Sequence, residues 1–154
     1  MIESLNHFSV RTTDLEATRK FYEDVLGLKV GPRPNFSFPG LWMYAGDMSN
    51  PYNAVAHIIG IDPKDPAGLR GYLGERDQKT LKGSGALDHV AFFAKGLNQM
   101  MAHLKSLGIE PRTRSVPNLG LHQIFLDDPN GIVIELNYPA SEKEPSSASA
   151  GAWA

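Results

Sequence analysis

Residues 5–15 read LNHFSVRTTDL and residues 87–97 read LDHVAFFAKGL, so a similar segment occurs twice, 82 residues apart. Three positions are identical in the two copies: Leu5 and Leu87, His7 and His89, and Leu15 and Leu97. Each copy begins with a strand-like alternation, and an amphipathic stretch that ends in Leu-Gly follows it. Glycine just past a helix adopts the left-handed cap conformation at low steric cost. The repeat therefore predicts two modules, each with the element order β-α-β-β-β.

The repeat also sets the predicted domain limits. One domain covers residues 1–139, with modules at about 1–61 and 86–139 and a connecting loop at 62–85. A connection of this length inside a compact domain is usually functional or mobile, so it is either a solvated linker or a lid. The last segment, 140–154, is rich in Pro, Ser and Ala, and we expect a flexible tail.

Composition excludes several functional classes. The 154 residues carry a net charge of -2, which offers no basic surface for nucleic acid or for an anionic membrane. No apolar run reaches the length of a membrane span, and no secretory signal is evident at the N-terminus. The absence of cysteine excludes disulfides and thiolate ligands. A cytoplasmic protein without nucleic-acid or membrane partners is the default expectation.

The repeated histidines suggest a metal site. His7 and His89 occupy equivalent places on equivalent strands, so they can converge across a pseudo-two-fold axis. Glu135 interrupts the otherwise apolar run 132–136, and a carboxylate there is costly unless it is paired or coordinated. Two histidines and one carboxylate are typical of non-haem Fe(II) sites, although Zn, Ni, Mn or Co would also fit. We predict that His7, His89 and Glu135 bind one divalent metal ion.

His57 is the least determined residue of this set. It lies in the strand-like run NAVAHIIGI at 53–61, on the last strand of the first module, as Glu135 does in the second. Imidazole suits acid–base catalysis near neutral pH, and it also suits metal coordination. A buried neutral histidine that is bonded to the backbone is the third interpretation.

Three stretches carry a resemblance to a known family: NHFSVRTTDLEATRKFYEDVLGLKV at 6–30, LDHVAFF at 87–93 and HQIFLDDPNGIVIELNYP at 122–139. With the paired modules they resemble the vicinal oxygen chelate superfamily, which includes glyoxalases, bleomycin resistance proteins and extradiol dioxygenases. The resemblance implies an α+β fold in which the curled mixed sheets of two βαβββ modules enclose a metal cleft. It also implies a homodimer and a small-molecule substrate that binds the metal, a Lewis acid, through two vicinal oxygens.

The resemblance leaves several branches open. We favour a one-domain extradiol dioxygenase with Fe(II), an aromatic diol as substrate and His57 as the acid–base residue. Phe125 stands where such enzymes usually carry a tyrosine, which argues against this branch. The first alternative is a glyoxalase I-like or epimerase-like lyase or isomerase, with His57 as a fourth ligand to Ni, Zn, Co or Mn. The second is a protein that sequesters a small molecule, as bleomycin resistance proteins do.

Strand alternation predicts which side chains line the pocket. Phe93 shares the strand face of His89, and Arg11 shares that of His7. Gln123 and Phe125 share one face of their strand while His122 takes the other, so only one of these two faces lines the cleft. The predicted lining set is Phe93, Gln123, Phe125, Arg11 and His122.

Overall fold

The computed structural model describes residues 1–62, 64, 70 and 81–143. Most of the predicted loop at 62–85, and the predicted tail beyond Lys143, lie outside these described residues. The chain divides into two compact units: Met1–Ala86 with Asp127–Ile132, and Leu87–Leu126 with Val133–Ala154. Within the described ranges, no helix is long and apolar enough to cross a bilayer.

The described part of the first unit contains a helix that follows its first strand and a four-stranded sheet. Its strands are β1 (Phe8–Thr12), β2 (Lys29–Gly31), β3 (Gly40–Tyr44) and β4 (Ala54–Gly60). Their order in the sheet is β1-β4-β3-β2, with β1 parallel to β4 and the other pairs antiparallel. The parallel pair places Ser9 beside His57, and the antiparallel pair places Trp42 on the other side of His57.

The helix of the first unit, α1 (Leu15–Lys20), continues as a wider π-helical turn over Phe21–Val25. Asp14 caps its N-terminus, because its carboxylate accepts the Ala17 N–H at 2.9 Å. Gly27 ends the helix with φ at 76°, in the left-handed region that glycine tolerates. The buried helical side chains Phe21, Tyr22 and Val25 contribute to the core of this unit.

The second unit repeats this plan. Its elements are β5 (His89–Phe93), α2 (Leu97–Ser106), β6 (Arg112–Val116), β7 (Leu121–Asp127) and β8 (Val133–Pro139). The order β5-β8-β7-β6 matches that of the first sheet, again with the first strand parallel to the last. Two mixed four-stranded sheets of equal topology confirm the predicted α+β class with two βαβββ modules.

The beginning of the predicted tail is part of the second unit. Ala140–Glu142 form a single 3-10 turn directly after β8. There the carboxylate of Glu142 accepts the N–H groups of Gly96 and Leu97, both at 2.8 Å. These groups lie at the N-terminus of α2, where N–H groups lack partners within the helix and a negative charge is stabilising. The described residues therefore include a 3-10 turn within the segment for which the sequence predicts a flexible tail.

The segment between β7 and β8 belongs to the first unit and carries a buried polar network. Asp128 accepts the hydroxyl of Tyr22 at 3.1 Å and the N–H groups of Asn130 and Ile132 at 2.8 Å. Asn130 in turn donates to Thr18 of α1 at 3.0 Å. Burial, and next the charge of Asp128, raise the pKa of Tyr22. These bonds satisfy polar groups that would be costly to bury alone.

Candidate metal centre

The second unit brings His89 and Glu135 together on adjacent strands. His89 lies opposite Val133 and Ala91 opposite Glu135 in the parallel β5–β8 pair, so both side chains occupy one face of the sheet. Nε2 of His89 and Oε2 of Glu135 are 3.1 Å apart. Glu135 is only 5% exposed, whereas the His89 side chain remains 37% exposed. The pair is thus a buried carboxylate beside an accessible imidazole.

The ring of His89 lies between two carboxylates. Nδ1 of His89 is 2.7 Å from the carboxylate of Asp88, which can only accept, so Nδ1 carries the hydrogen. Nε2 faces Oε2 of Glu135, and a cation between these two atoms, either a proton on Nε2 or a metal ion, stabilises their approach. Ligands at a right angle on an ion with bonds of about 2.1 Å lie about 3.0 Å apart. The donor set therefore fits a divalent metal ion.

Amide side chains orient the carboxylate of Glu135. Its Oε1 accepts Nε2 of Gln123 and Nδ2 of Asn137, both at 2.7 Å. Gln123 also donates to Oδ1 of Asn137 at 2.9 Å, and its Oε1 accepts Nε of Arg114 at 2.8 Å. These bonds offset the cost of burying the charge and leave Oε2 turned toward His89.

An aromatic ring and a cation flank this pair. The ring of Phe125 on β7 meets the His89 ring edge-on, with centroids 6.4 Å apart. Cζ of Arg114 lies 5.4 Å from the centroid of the same phenyl ring. Of the predicted lining residues, Gln123 and Phe125 therefore lie at the pair.

The other three predicted lining residues have no contact with the His89–Glu135 pair among those described above. Phe93, at the end of β5, is 91% exposed. His122 points to the other side of β7, where its Nδ1 is 3.0 Å from Oγ of Ser115. Burial, and next the charge of Lys143, lower the pKa of His122. Arg11 lies on β1 in the first unit, beside Ile59 of β4.

In the first unit, His57 is the middle ring of a stack of three. Its centroid lies 4.0 Å from that of Trp42 at an interplanar angle of 7°, and 3.8 Å from that of His7 at 19°. Burial, and next the charge of His7, lower the pKa of His57 to about 4. A hydrogen bond with the backbone of Ala54 raises this pKa but does not offset the other two effects. His57 is therefore neutral at physiological pH.

His7 has the same kind of neighbour as His89. Nδ1 of His7 contacts Oδ1 of Asn6, the residue just before it, as Nδ1 of His89 contacts Asp88. Both contacts leave Nε2 available as a ligand atom. Sequence reasoning missed Asn6 and Asp88, although the repeated triplets Leu-Asn-His and Leu-Asp-His contain the signal. It also missed the stacking of Trp42 on His57, the hydrogen bond from Asn137 to Glu135 and the hydrogen bond from Arg114 to Gln123.

Neither unit by itself collects a complete set of metal ligands. Among the described residues, no group of three His, Asp or Glu side chains is gathered in a geometry that could hold an ion. The first unit offers His7, and the second offers His89 with Glu135. The ligand trio of His7, His89 and Glu135 thus stays a prediction.

A family model described as the Glyoxalase/Bleomycin resistance protein/Dioxygenase superfamily matches residues 4–136. The chain belongs to this superfamily. It is 28% identical over 137 residues to methylmalonyl-CoA epimerase, mitochondrial, of Bos taurus, covering 86% of this chain and 72% of that one. It is 23% identical over 138 residues to Glyoxylase I 4 of Arabidopsis thaliana, covering 88% and 70% respectively.

A solved structure of the same fold contains a metal. A mutant of the fosfomycin resistance protein FosX from Listeria monocytogenes, complexed with Mn(II) and a dihydroxypropylphosphonic acid, aligns with a TM-score of 0.58 at 17% identity. The alignment covers 90% of this chain and 93% of that one. At this identity the likeness establishes the fold alone, and the Mn(II) is a property of that protein.

The amide network yields a first prediction. Gln123→Leu removes an N–H donor from Oε1 of Glu135, so the carboxylate loses its fixed orientation. We expect the affinity for a divalent metal to fall by about 10- to 100-fold, as measured by calorimetric titration of the metal-free protein.

His122→Gln serves as the matched control, because His122 is the next residue on β7 and points to the opposite side. It should bind the metal as the unchanged protein does. Equal affinities in all three proteins, or equal losses in both variants, would contradict the role given to Gln123.

Proposed function

We propose that the protein is a divalent-metal-dependent enzyme of the lyase or isomerase kind, in which His7, His89 and Glu135 hold the metal. The observation that carries the proposal is the 3.1 Å approach of Nε2 of His89 to Oε2 of the buried Glu135. A buried carboxylate is costly unless it is paired or coordinated, and a metal ion bound by Oε2 and Nε2 would remove that cost. The names of the two curated relatives favour lyase or isomerase chemistry over ring cleavage.

The protein side chains have separable tasks in this proposal. The metal supplies Lewis acidity toward two vicinal oxygens of a small-molecule substrate. Asn6 and Asp88 hold the hydrogen on Nδ1 of the two histidines, which keeps each Nε2 free to bind. Gln123 and Asn137 occupy Oε1 of Glu135, so that Oε2 is the atom presented to the metal. The phenyl ring of Phe125 offers an apolar wall to the substrate.

The stacked rings argue for a role of His57 that neither predicted branch assigned to it. The lone pairs of an imidazole lie in the plane of the ring, so two nearly parallel rings with centroids 3.8 Å apart hold their lone pairs in separate, nearly parallel planes. With 19° between the planes, His7 and His57 do not point at a common ion. We propose that His57 is a spacer that transmits the position of Trp42 to His7. In this proposal the metal has three protein ligands, and His57 is neither a ligand nor an acid–base residue.

Extradiol cleavage is the second candidate. A three-ligand site leaves positions for both a catecholic substrate and O2, which suits Fe(II). Against it stands Phe125, which offers no hydroxyl to a substrate oxygen.

The homodimer and the cytoplasmic location belong to the proposal as well. Phe93, almost fully exposed on β5, is apolar surface that a second copy would cover.

A metal and substrate screen tests the proposed activity. Protein purified without oxygen should contain, or take up, about one divalent ion per chain by elemental analysis. In D2O it should then exchange the hydrogen next to a carbonyl in a hemithioacetal or in a 2-substituted malonyl thioester, followed by proton NMR. His89→Ala should lose both metal and exchange. Oxygen uptake with catechols by the iron-loaded protein, without such exchange, would overturn the lyase or isomerase assignment in favour of ring cleavage.

The stack gives a test of His57. His57→Phe keeps a flat ring between Trp42 and His7, whereas His57→Ala removes it. Since aromatic pairs are worth about 0.5–1.5 kcal/mol, we expect the alanine variant to bind metal about 2- to 10-fold more weakly in calorimetric titration. The phenylalanine variant should retain both affinity and turnover. If both variants lose turnover equally, His57 is a ligand or an acid–base residue and the spacer role is wrong.

A further inference from the structure

Arg114 presents a cation beside the His89–Glu135 pair, and no carboxylate among the described residues forms an ion pair with it. It is an exposed residue of β6, directly opposite Gln123 of β7. Its Nε donates to Oε1 of Gln123 at 2.8 Å, and its guanidinium carbon lies 5.4 Å from the centroid of the Phe125 ring. Within the part of the chain that the structure describes, no acceptor contacts its Nη1 or Nη2.

Two contacts hold the guanidinium in place. The bond from Nε fixes one edge of the group, and the phenyl ring adds a cation–π contact. A residue that served only to hold Gln123 would need one N–H donor. Arginine supplies that donor and still turns the other edge of its planar fork outward. Such a fork matches the two oxygens of a carboxylate or a phosphoryl group.

The same phenyl ring neighbours both this cation and the His89–Glu135 pair. The guanidinium carbon is 5.4 Å and the His89 ring centroid 6.4 Å from the centroid of Phe125, so the two groups lie within about 12 Å of each other. All of these residues belong to the second unit. A metal-binding end, an apolar middle and a cationic end therefore occur together on neighbouring strands.

From this arrangement we infer that Arg114 binds an anionic end of the substrate. The substrate class is a small molecule with two vicinal oxygens at one end and a carboxylate, phosphonate or phosphate at the other, joined by a short carbon segment that lies against Phe125. The inference rests on the proposed function, because it takes the His89–Glu135 pair as the metal-binding end.

Matched hydroxamates test this inference without knowledge of the reaction. Acetohydroxamate chelates a metal through two vicinal oxygens and is otherwise neutral. N-hydroxysuccinamate carries the same chelating group with a carboxylate two methylene groups away, and phosphonoacetohydroxamate carries a phosphonate instead. Each is titrated calorimetrically into the metal-loaded full chain, into Arg114→Gln and into Lys105→Gln. The last variant changes net charge by the same amount, on α2 of the same unit.

The unchanged protein should bind one or both of the anionic hydroxamates about tenfold or more tightly than acetohydroxamate, because charge-assisted hydrogen bonds are roughly twice as strong as neutral ones. Arg114→Gln should abolish this preference and keep its affinity for acetohydroxamate, while Lys105→Gln should keep both. The tighter anionic probe identifies the oxyacid class.

Two results would overturn the inference, and they are distinguishable. If acetohydroxamate binds but the unchanged protein shows no preference, or Arg114→Gln retains the preference, Arg114 does not bind an anionic end. If acetohydroxamate itself fails to bind to the metal-loaded protein, the proposed metal site is wrong and the inference falls with it.

Discussion

The buried carboxylate of Glu135, held 3.1 Å from Nε2 of His89, is the interaction on which the functional site depends. A charge at 5% exposure is stable only when every acceptor position is used, and the structure provides for this in two ways. Gln123 and Asn137 donate to one oxygen, and the other faces a histidine whose tautomer is set by Asp88. Side chains from three neighbouring strands of the second sheet therefore orient a single carboxylate oxygen.

The two repeats use the same local device for their histidines but differ in what surrounds it. In each, the residue before the histidine contacts Nδ1, which leaves Nε2 for a ligand. His89 contacts the carboxylates of Asp88 and Glu135 and the edge of the Phe125 ring. His7 stacks on His57, whose ring also stacks on Trp42. The two repeats thus share a histidine with an orienting Asn or Asp before it, while the neighbouring strands give His89 a largely polar surrounding and His7 an aromatic one.

Periodicity and repetition were sufficient to predict the fold and part of the site. The Leu-x-His repeat predicted the two modules, and the interruption of an apolar strand predicted that Glu135 would be buried and partnered. The Gln123–Phe125 face followed from alternation along β7. The stack of His57 with Trp42 could not be predicted, since it depends on the register between β3 and β4. The contact of Glu142 with α2 could not be predicted either. A polar, Ser-rich composition is typical of a tail, yet the carboxylate of Glu142 accepts two N–H groups at the N-terminus of α2.

The central claim is that the His89–Glu135 pair is part of a metal centre. Anomalous diffraction from crystals of the metal-loaded full chain, recorded at the absorption edge of the ion, tests it most directly. We predict a single strong peak within bonding distance, about 2.0–2.2 Å, of Nε2 of His89, Oε2 of Glu135 and a nitrogen of His7. A peak that lacks Glu135 among its ligands, or an ion bound elsewhere while His89 and Glu135 remain in direct contact, would contradict the account.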